Sequence, residues 1–337
     1  MRLLTFVIAK LMPLWIVVVS LIAFHWSRTF ISWSGISDDA LGFVLFMMGM
    51  TLERQRLKQF LKRPIPPLLG SLGHWIIAPG VSVLLAWLFF GLHTQLANGI
   101  IMNGVVPSGS SSNLNTLVAN GDLSLSVCMS GIDTLIAPLL TPALSKLFAG
   151  QGVHLAYLPF VLKTARIVFL PLVCGILLQI VAPKIQTWVR PMSSMLSALA
   201  LYVVVIGIVA PASASVSAHA AILVPIFVCV ILQILLQMGA GGLYARLLKF
   251  DSSTLRSELF EVGICNTALA AVLATDAFGP LAGVACMINV VCCLVIGSFA
   301  AVFLSRIPLR PSKSGQSSVL AGQSISDGDF VASPDNI

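Results

Sequence analysis

The sequence predicts an all-α membrane protein of ten transmembrane helices, built as two inverted five-helix repeats with broken crossing helices 4 and 9. Three observations predict it. The 337 residues are 58% hydrophobic and 9% charged, whereas a soluble domain carries roughly 25% charged residues. The apolar residues gather into ten runs close to the ~20 residues a bilayer demands. Two of those runs, at matching places in the halves, carry polar clusters in their middles.

In chain order, the first span covers about 11–27 and the second about 36–52. The N-terminal stretch has a charge followed by an apolar run, as a signal peptide does. No small-x-small cleavage site follows, so it reads as a retained first span. A basic loop at 53–63 precedes the third span, about 66–90. The fourth, about 95–119, is interrupted by Pro107 and Gly109 around a cluster running from Ser108 to Asn113. The fifth takes about 122–148, and the second repeat follows with spans near 155–181, 192–211, 219–246, 254–276 and 279–304. The repeats, about 10–148 and 155–304, form one membrane domain over 1–306. Residues 307–337, rich in Ser, Gly and Asp without apolar periodicity, read as a disordered cytoplasmic tail.

The charges fix the orientation. Arg2, Lys10, the 53–63 loop, Lys184, Arg190, Arg246, Lys249, Arg256, Arg306, Arg310 and Lys313 would share one side, against Arg28 and Lys146 on the other. That asymmetry places both termini in the cytoplasm. It also accounts for the net charge of +7 without nucleic acid. The seven cysteines all lie in apolar segments without a CxxC pair, and all but Cys265 read as small buried hydrophobes without disulfides.

Unwound backbone inside a bilayer is tolerated where it is buried in protein or lines a wet cavity. Paired broken helices in inverted repeats are the layout of a secondary transporter with a midplane site. The competing reading is that Gly and Pro merely kink two helices. Glu261 weighs against it, because a carboxylate at that depth costs several kcal/mol, on the order of 3, unless paired. Ser126, Ser130 and Asp133 recur at i, i+4 and i+7, one helix face, turned towards Ser112 and Asn113. Hydroxyl, amide and carboxylate oxygens are hard ligands suited to Na⁺. Free helix N-termini near 110–112 and 266–267 would offer amides to an anion. Together these point to sodium-coupled uptake of an organic anion. Lys163 and Arg166, inside the sixth span, read as snorkelling side chains.

Four stretches, GFVLFMMGMTLE at 42–53, PSGSSSNLNTLVANGDLSLS at 107–126, APLLTP at 137–142 and EVGICNTALA at 261–270, resemble the bile acid/sodium symporter family. The resemblance covers about residues 10–305. It implies a six-helix core with crossing helices 4 and 9, beside a panel of helices 1, 2, 6 and 7. It implies one Na⁺ site from Ser112, Asn113, Ser126, Ser130 and Glu261, with Ser130 where threonine is common. The family's second Na⁺ site would fall on His74, Glu261, Val262, Ile264 and Cys265. His74 and Cys265 stand where glutamines are usual, and an imidazole and a thiol are poor Na⁺ ligands. The expectation is therefore a single coupled Na⁺, or a proton at His74 replacing the second. One Na⁺ with a monoanion moves no net charge, losing ~2.3 kcal/mol per 100 mV of drive. Substrate would lie against Ser110, Ser111, Asn266, Thr267 and Asn289, with Asp133 as an accessory carboxylate.

The cargo expected is a small organic anion, bile-acid-like, pantoate-like or a keto or hydroxy acid, carried by alternating access. Beyond Na⁺ or H⁺ as coupling ion, no cofactor, catalytic residue or other metal is expected. The partners are substrate and the lipid bilayer of a bacterial inner membrane, with no nucleic acid or obligate protein partner. The alternative is a proton-coupled or uncoupled organic-anion exporter of the same fold. An arsenite extruder would favour a cysteine in the helix 4 break, and an intramembrane enzyme would need a nucleophile with a base, or a metal triad.

Overall fold

The computed structural model describes residues 12–51, 64–148, 156–218 and 220–309. The basic loop at 53–63 and nearly all of the 307–337 tail lie outside them. The described residues form thirteen helices, seven of which are long and apolar enough to cross a membrane. They are α1 Met12–His25, α2 Ser27–Thr51, α3 Ile65–Phe90, α4 Gln95–Gly104, α5 Ser110–Val118, α6 Leu123–Phe148 and α7 Tyr157–Val181. There follow α8 Pro183–Val189, α9 Ser193–Ala218, α10 Ala220–Leu247, α11 Ser252–Gly263, α12 Thr267–Phe278 and α13 Pro280–Ser305. Large apolar side chains such as Leu68, Leu139, Leu158 and Phe299 stand exposed around the outside, as lipid-facing residues do.

The fourth predicted span is two helices, α4 and α5, and the ninth is α11 and α12. Pro107 ends the first pair's continuity because it lacks an N–H and forces Val106 out of the helical region. The second predicted span begins earlier than its apolar run suggests. Ser32, Ser34 and Gly35 dilute the hydrophobicity there, yet the chain stays helical from Ser27, through a 3₁₀ segment at Ile31–Ile36. Within α7 a π-turn occupies Ala165–Phe169, just before Pro171, whose missing N–H leaves the Ile167 carbonyl without its helical donor.

The helices sort into two groups. α1, α2, α7 and α9 pack together, with α2 against both α7 and α9. α3–α6 and α10–α13 form the other group, joined to the first mainly along α9–α13 and α6–α7. The α2–α7 seam is very close. A Cβ at Gly49 would lie 2.3 Å from the Leu172 carbonyl, and one at Gly175 2.3 Å from that of Phe46. Small residues let membrane helices approach backbone to backbone. The larger group is tied by buried amides: Gln233 Nε2 donates to Ser82 Oγ at 2.7 Å and to the Ile100 carbonyl at 2.9 Å.

Lys163 does not snorkel. It pairs with Asp38 at 3.2 Å and more closely with Asp276, joining α7 and α2 of the first group to α12 of the second. At the start of α11, Asp251 accepts from the Thr254 N–H at 2.8 Å. Partial burial pushes the Asp251 carboxyl up, but the Thr254 amide and Ser253 hydroxyl outweigh it and hold it below its ordinary value.

Two outcomes are expected. Gly175→Leu forces the α2–α7 seam apart and costs roughly 1–3 kcal/mol, read as a lower melting temperature in detergent. Asp251→Ala costs about 1 kcal/mol. Because the folded carboxyl is depressed, this contribution is full above the ordinary carboxylate range and fades as pH falls through the folded value. The parent-to-variant gap in melting temperature should therefore close in acid.

Candidate functional site

The two breaks meet. Gly109 N–H donates to the Ile264 carbonyl at 2.9 Å, and Asn266 N–H donates to that of Pro107 at 2.8 Å. This reciprocal pair makes an antiparallel bridge between Ser108 and Cys265. A Cβ at Gly109 would sit 2.8 Å from the Cys265 carbonyl oxygen, so the close approach requires glycine.

The bridge sets the register of the side chains around it. Ser112 lies on the first turn of α5 and Glu261 on the last turn of α11, and both are fully buried. Ser112 Oγ is 2.5 Å from Glu261 Oε1 and 2.6 Å from the Gly109 carbonyl. Ser126, from α6, donates between the same Glu261 Oε1 and Asn113 Oδ1, the latter at 2.7 Å. Asn113 Nδ2 donates to Ser130 Oγ at 3.0 Å. The five residues expected to form one cation site are thus in contact with one another.

Their hydrogen bonding is unbalanced. Ser112 and Ser126 each face two acceptors with a single hydroxyl proton. Glu261 Oε2 has no partner at all. A buried acceptor without a donor costs free energy, and a hard cation placed among these oxygens removes the deficit. The residues therefore fit Na⁺.

The second expected set is arranged differently. The His74 ring lies with Nδ1 3.0 Å from the Glu261 carbonyl and Nε2 3.0 Å from that of Val106, tying α3 to both broken elements. The Ile264 carbonyl is taken by Gly109 N–H, and the Cys265 carbonyl accepts from Thr267 N–H at 2.9 Å. Val262 and Cys265 are buried. Asp133 turns away from Ser112 and Asn113, towards α3, where Ser71 and Trp75 bind it.

Beside the bridge lies a cavity of about 550 Å³. Ser110, Ser111, Asn266 and Thr267 line it, as expected for substrate contacts. Gly109, which also lines this space, gives α5 no side-chain cap, so the first amides of α5 have no side-chain acceptor from it. Asn289 is not part of the lining. Its Nδ2 lies 3.5 Å from Gln233 Oε1, and its Oδ1 accepts from Cys293 Sγ. Leu41, Leu45, Met47 and Met48 of α2 line it too, with Ser193, Ser194 and Ser197 of α9. Among the described residues, no Lys or Arg lines it.

Sequence reasoning missed the α9 serines, because they open an otherwise apolar span. It also missed Glu258, which is buried with both oxygens unpartnered. Its position, one turn before Glu261 in SELFEVG, was the available signal.

Substituting Glu261→Gln supplies amide hydrogens where acceptors now crowd. In sodium-free buffer the variant should melt no lower than the parent, while the parent alone gains stability on adding Na⁺ over K⁺. A Na⁺-dependent rise equal in both proteins would count against the site.

Residues 40–222 match the Sodium Bile acid symporter family. Over 314 residues, spanning 91% of this chain and 95% of the relative, the sequence is 32% identical to the Uncharacterized sodium-dependent transporter YocS of Bacillus subtilis (strain 168). It is 30% identical to the Probable sodium/metabolite cotransporter BASS1, chloroplastic, of Arabidopsis thaliana, covering 86% of this chain and 72% of that one. It is 27% identical to the Probable sodium/metabolite cotransporter BASS2, chloroplastic, of Oryza sativa subsp. japonica, over 88% and 70% respectively.

Proposed function

The chain belongs to the Sodium Bile acid symporter family, a family of transporters and not of enzymes, and from that premise we propose that it couples Na⁺ to the uptake of a small organic anion by alternating access. The observation that carries the reading is the acceptor-rich cluster of Ser112, Asn113, Ser126, Ser130 and Glu261, which a Na⁺ completes. The ion and substrate regions adjoin, since Asn113 and Ser130 also line the cavity. A Na⁺ held there raises the local positive potential and favours an anion against the α5 amides, which is the linkage that symport requires. The cavity suits an anion with an apolar body, its carboxylate towards Ser110 and Ser111 and its flank against Leu41, Leu45 and Met48. No arginine is needed for that recognition.

The two helix groups support alternation. The cavity lies between them and runs to the end marked by Met12, Thr51, Leu123 and Ser193. At the opposite end Lys163 holds Asp38 and Asp276 together across the groups. In the ten-span reading the basic residues of the sequence fall on the side of the cavity end, which supports a cytoplasmic position for it by the positive-inside rule. The ten-span inverted-repeat arrangement follows when α4–α5 and α11–α12 each count as one span and α1 as another. In this reading the conformation faces inwards, in a bacterial inner membrane with cytoplasmic termini.

A thermal-shift screen of purified protein against small carboxylates, in Na⁺ and in K⁺, tests the function. A bound ligand stabilises the folded state by mass action, about 2.7 kcal/mol at a hundred times its Kd. Shifts confined to Na⁺ identify both ion and cargo, and equal shifts in K⁺ argue against sodium coupling. Glu261→Ala should abolish Na⁺-dependent uptake of the hit in vesicles while the protein still inserts. Lys163→Met should keep Na⁺ binding yet increase labelling of a cysteine placed at Ala277 by an impermeant maleimide. Unchanged labelling would contradict a closing role for the ion pairs.

A further inference from the structure

Glu258 is fully buried on the second turn of α11. Neither of its carboxyl oxygens has a hydrogen-bond partner. The carboxyl lies in a notch that α3 provides by lacking side chains at two positions. A Cβ at Gly70 would sit 2.5 Å from Glu258 Oε2, and one at Gly73 2.9 Å from Oε1. Met129 Sδ of α6 crowds the first of these points at 2.6 Å, and the Tyr244 ring of α10 the second at 2.5 Å. Neither neighbour supplies a proton. A thioether has none, and the Tyr244 hydroxyl donates to the Leu69 carbonyl at 2.9 Å. Among the described residues Glu258 makes no ion pair. Arg256 of α11 donates to the Ala119 and Ile307 carbonyls, the His74 ring of α3 lies between two carbonyls, and Arg246 of α10 is exposed. Asp133 of α6 is held by Ser71 and Trp75, and α5 carries no titratable side chain.

We propose that Glu258 is a proton-binding site, a neutral carboxylic acid in this conformation, whose proton opposes Na⁺ binding at Glu261. The opposition rests on the sodium-coupled reading above, and the proton site does not. A buried carboxylate with neither donor nor counter-ion is costly enough that such a group neutralises instead. A proton achieves this on one oxygen, whereas a metal cation requires several. The atoms that crowd the notch beside the carboxyl are a sulfur and ring carbons. Gly70 and Gly73 thus give the acid room without giving it a ligand. Glu258 and Glu261 lie one turn apart, and residues at that spacing are neighbours on a helix. Releasing the Glu258 proton to solvent leaves a negative charge there, which draws Na⁺ to Glu261. By reciprocity, Na⁺ at Glu261 favours the release.

The test begins with infrared difference spectroscopy of the purified full-length chain in detergent, at neutral pH without Na⁺. The parent should show a protonated-carboxyl stretch that Glu258→Gln lacks. Glu258→Met leaves no polar group in the notch, so it serves should the amide fail to fold. Na⁺ titrations followed by thermal shift come next, over a range of pH. The apparent Na⁺ affinity of the parent should rise above that of the variant by about tenfold or more in alkali and meet it in acid. Proton competition at Glu261 itself is common to both proteins. An identical carboxyl band in parent and variant overturns the proton site. A band lost without any pH-dependent gap in Na⁺ affinity overturns the opposition. No Na⁺-dependent shift in the parent at any pH overturns the sodium-coupled reading, and the opposition with it, while the band still decides the proton.

Discussion

Two backbone hydrogen bonds, Gly109 N–H to Ile264 O and Asn266 N–H to Pro107 O, hold the rest of the arrangement in place. A helix broken inside a bilayer strips peptide groups of their partners where no water can replace them. Breaking two helices at the same level and crossing them lets each break supply what the other lacks. The solution admits only a short side chain at the contact, hence Gly109. It also decides the chemistry, because residues four places from the bridge pair on either arm, Ser112 and Glu261, are brought to 2.5 Å. Fold and site share one origin here.

That origin explains why the polar residues can be so deeply buried. On the sodium-coupled reading proposed above, oxygens that would be destabilising in an ordinary core are clustered for an ion, and not a protein group, to complete. On that reading the folded state without its ion is the less stable one, and ion binding, substrate binding and stability are linked through the same few atoms. His74 adds rigidity by spanning α11 and the α4 break with a single ring.

Much of this was legible in the sequence. Hydropathy gave the helices, and Pro107, Gly109 and the polar run after them gave the first break. Spacing put Ser126 and Ser130 on the face that meets Asn113. Asp133 was grouped with them correctly by periodicity but assigned the wrong neighbours. A seven-residue step on a helix drifts by roughly 20°, enough to turn its carboxyl from α5 towards Ser71 and Trp75 of α3. The role of Lys163 was hidden because its partners, Asp38 and Asp276, lie 125 and 113 positions away in the chain. Pairings between distant helices leave no periodic trace. The early start of α2 was obscured by serines that a 3₁₀ segment accommodates.

The Gly49–Gly175 seam has a mechanical meaning. Where two backbones touch with no side chains between them, there are no rotamers to repack and no interface along which to shear. Helices α2 and α7 are welded into a stiff plate. Motion in this half is then a tilt of the plate as a whole, and the compliance must come from the interfaces it shares with α9, α6 and α12. On the proposed reading, a ligand lodged against Met48 would act on the plate as a whole, and so on Asp38 near its other end.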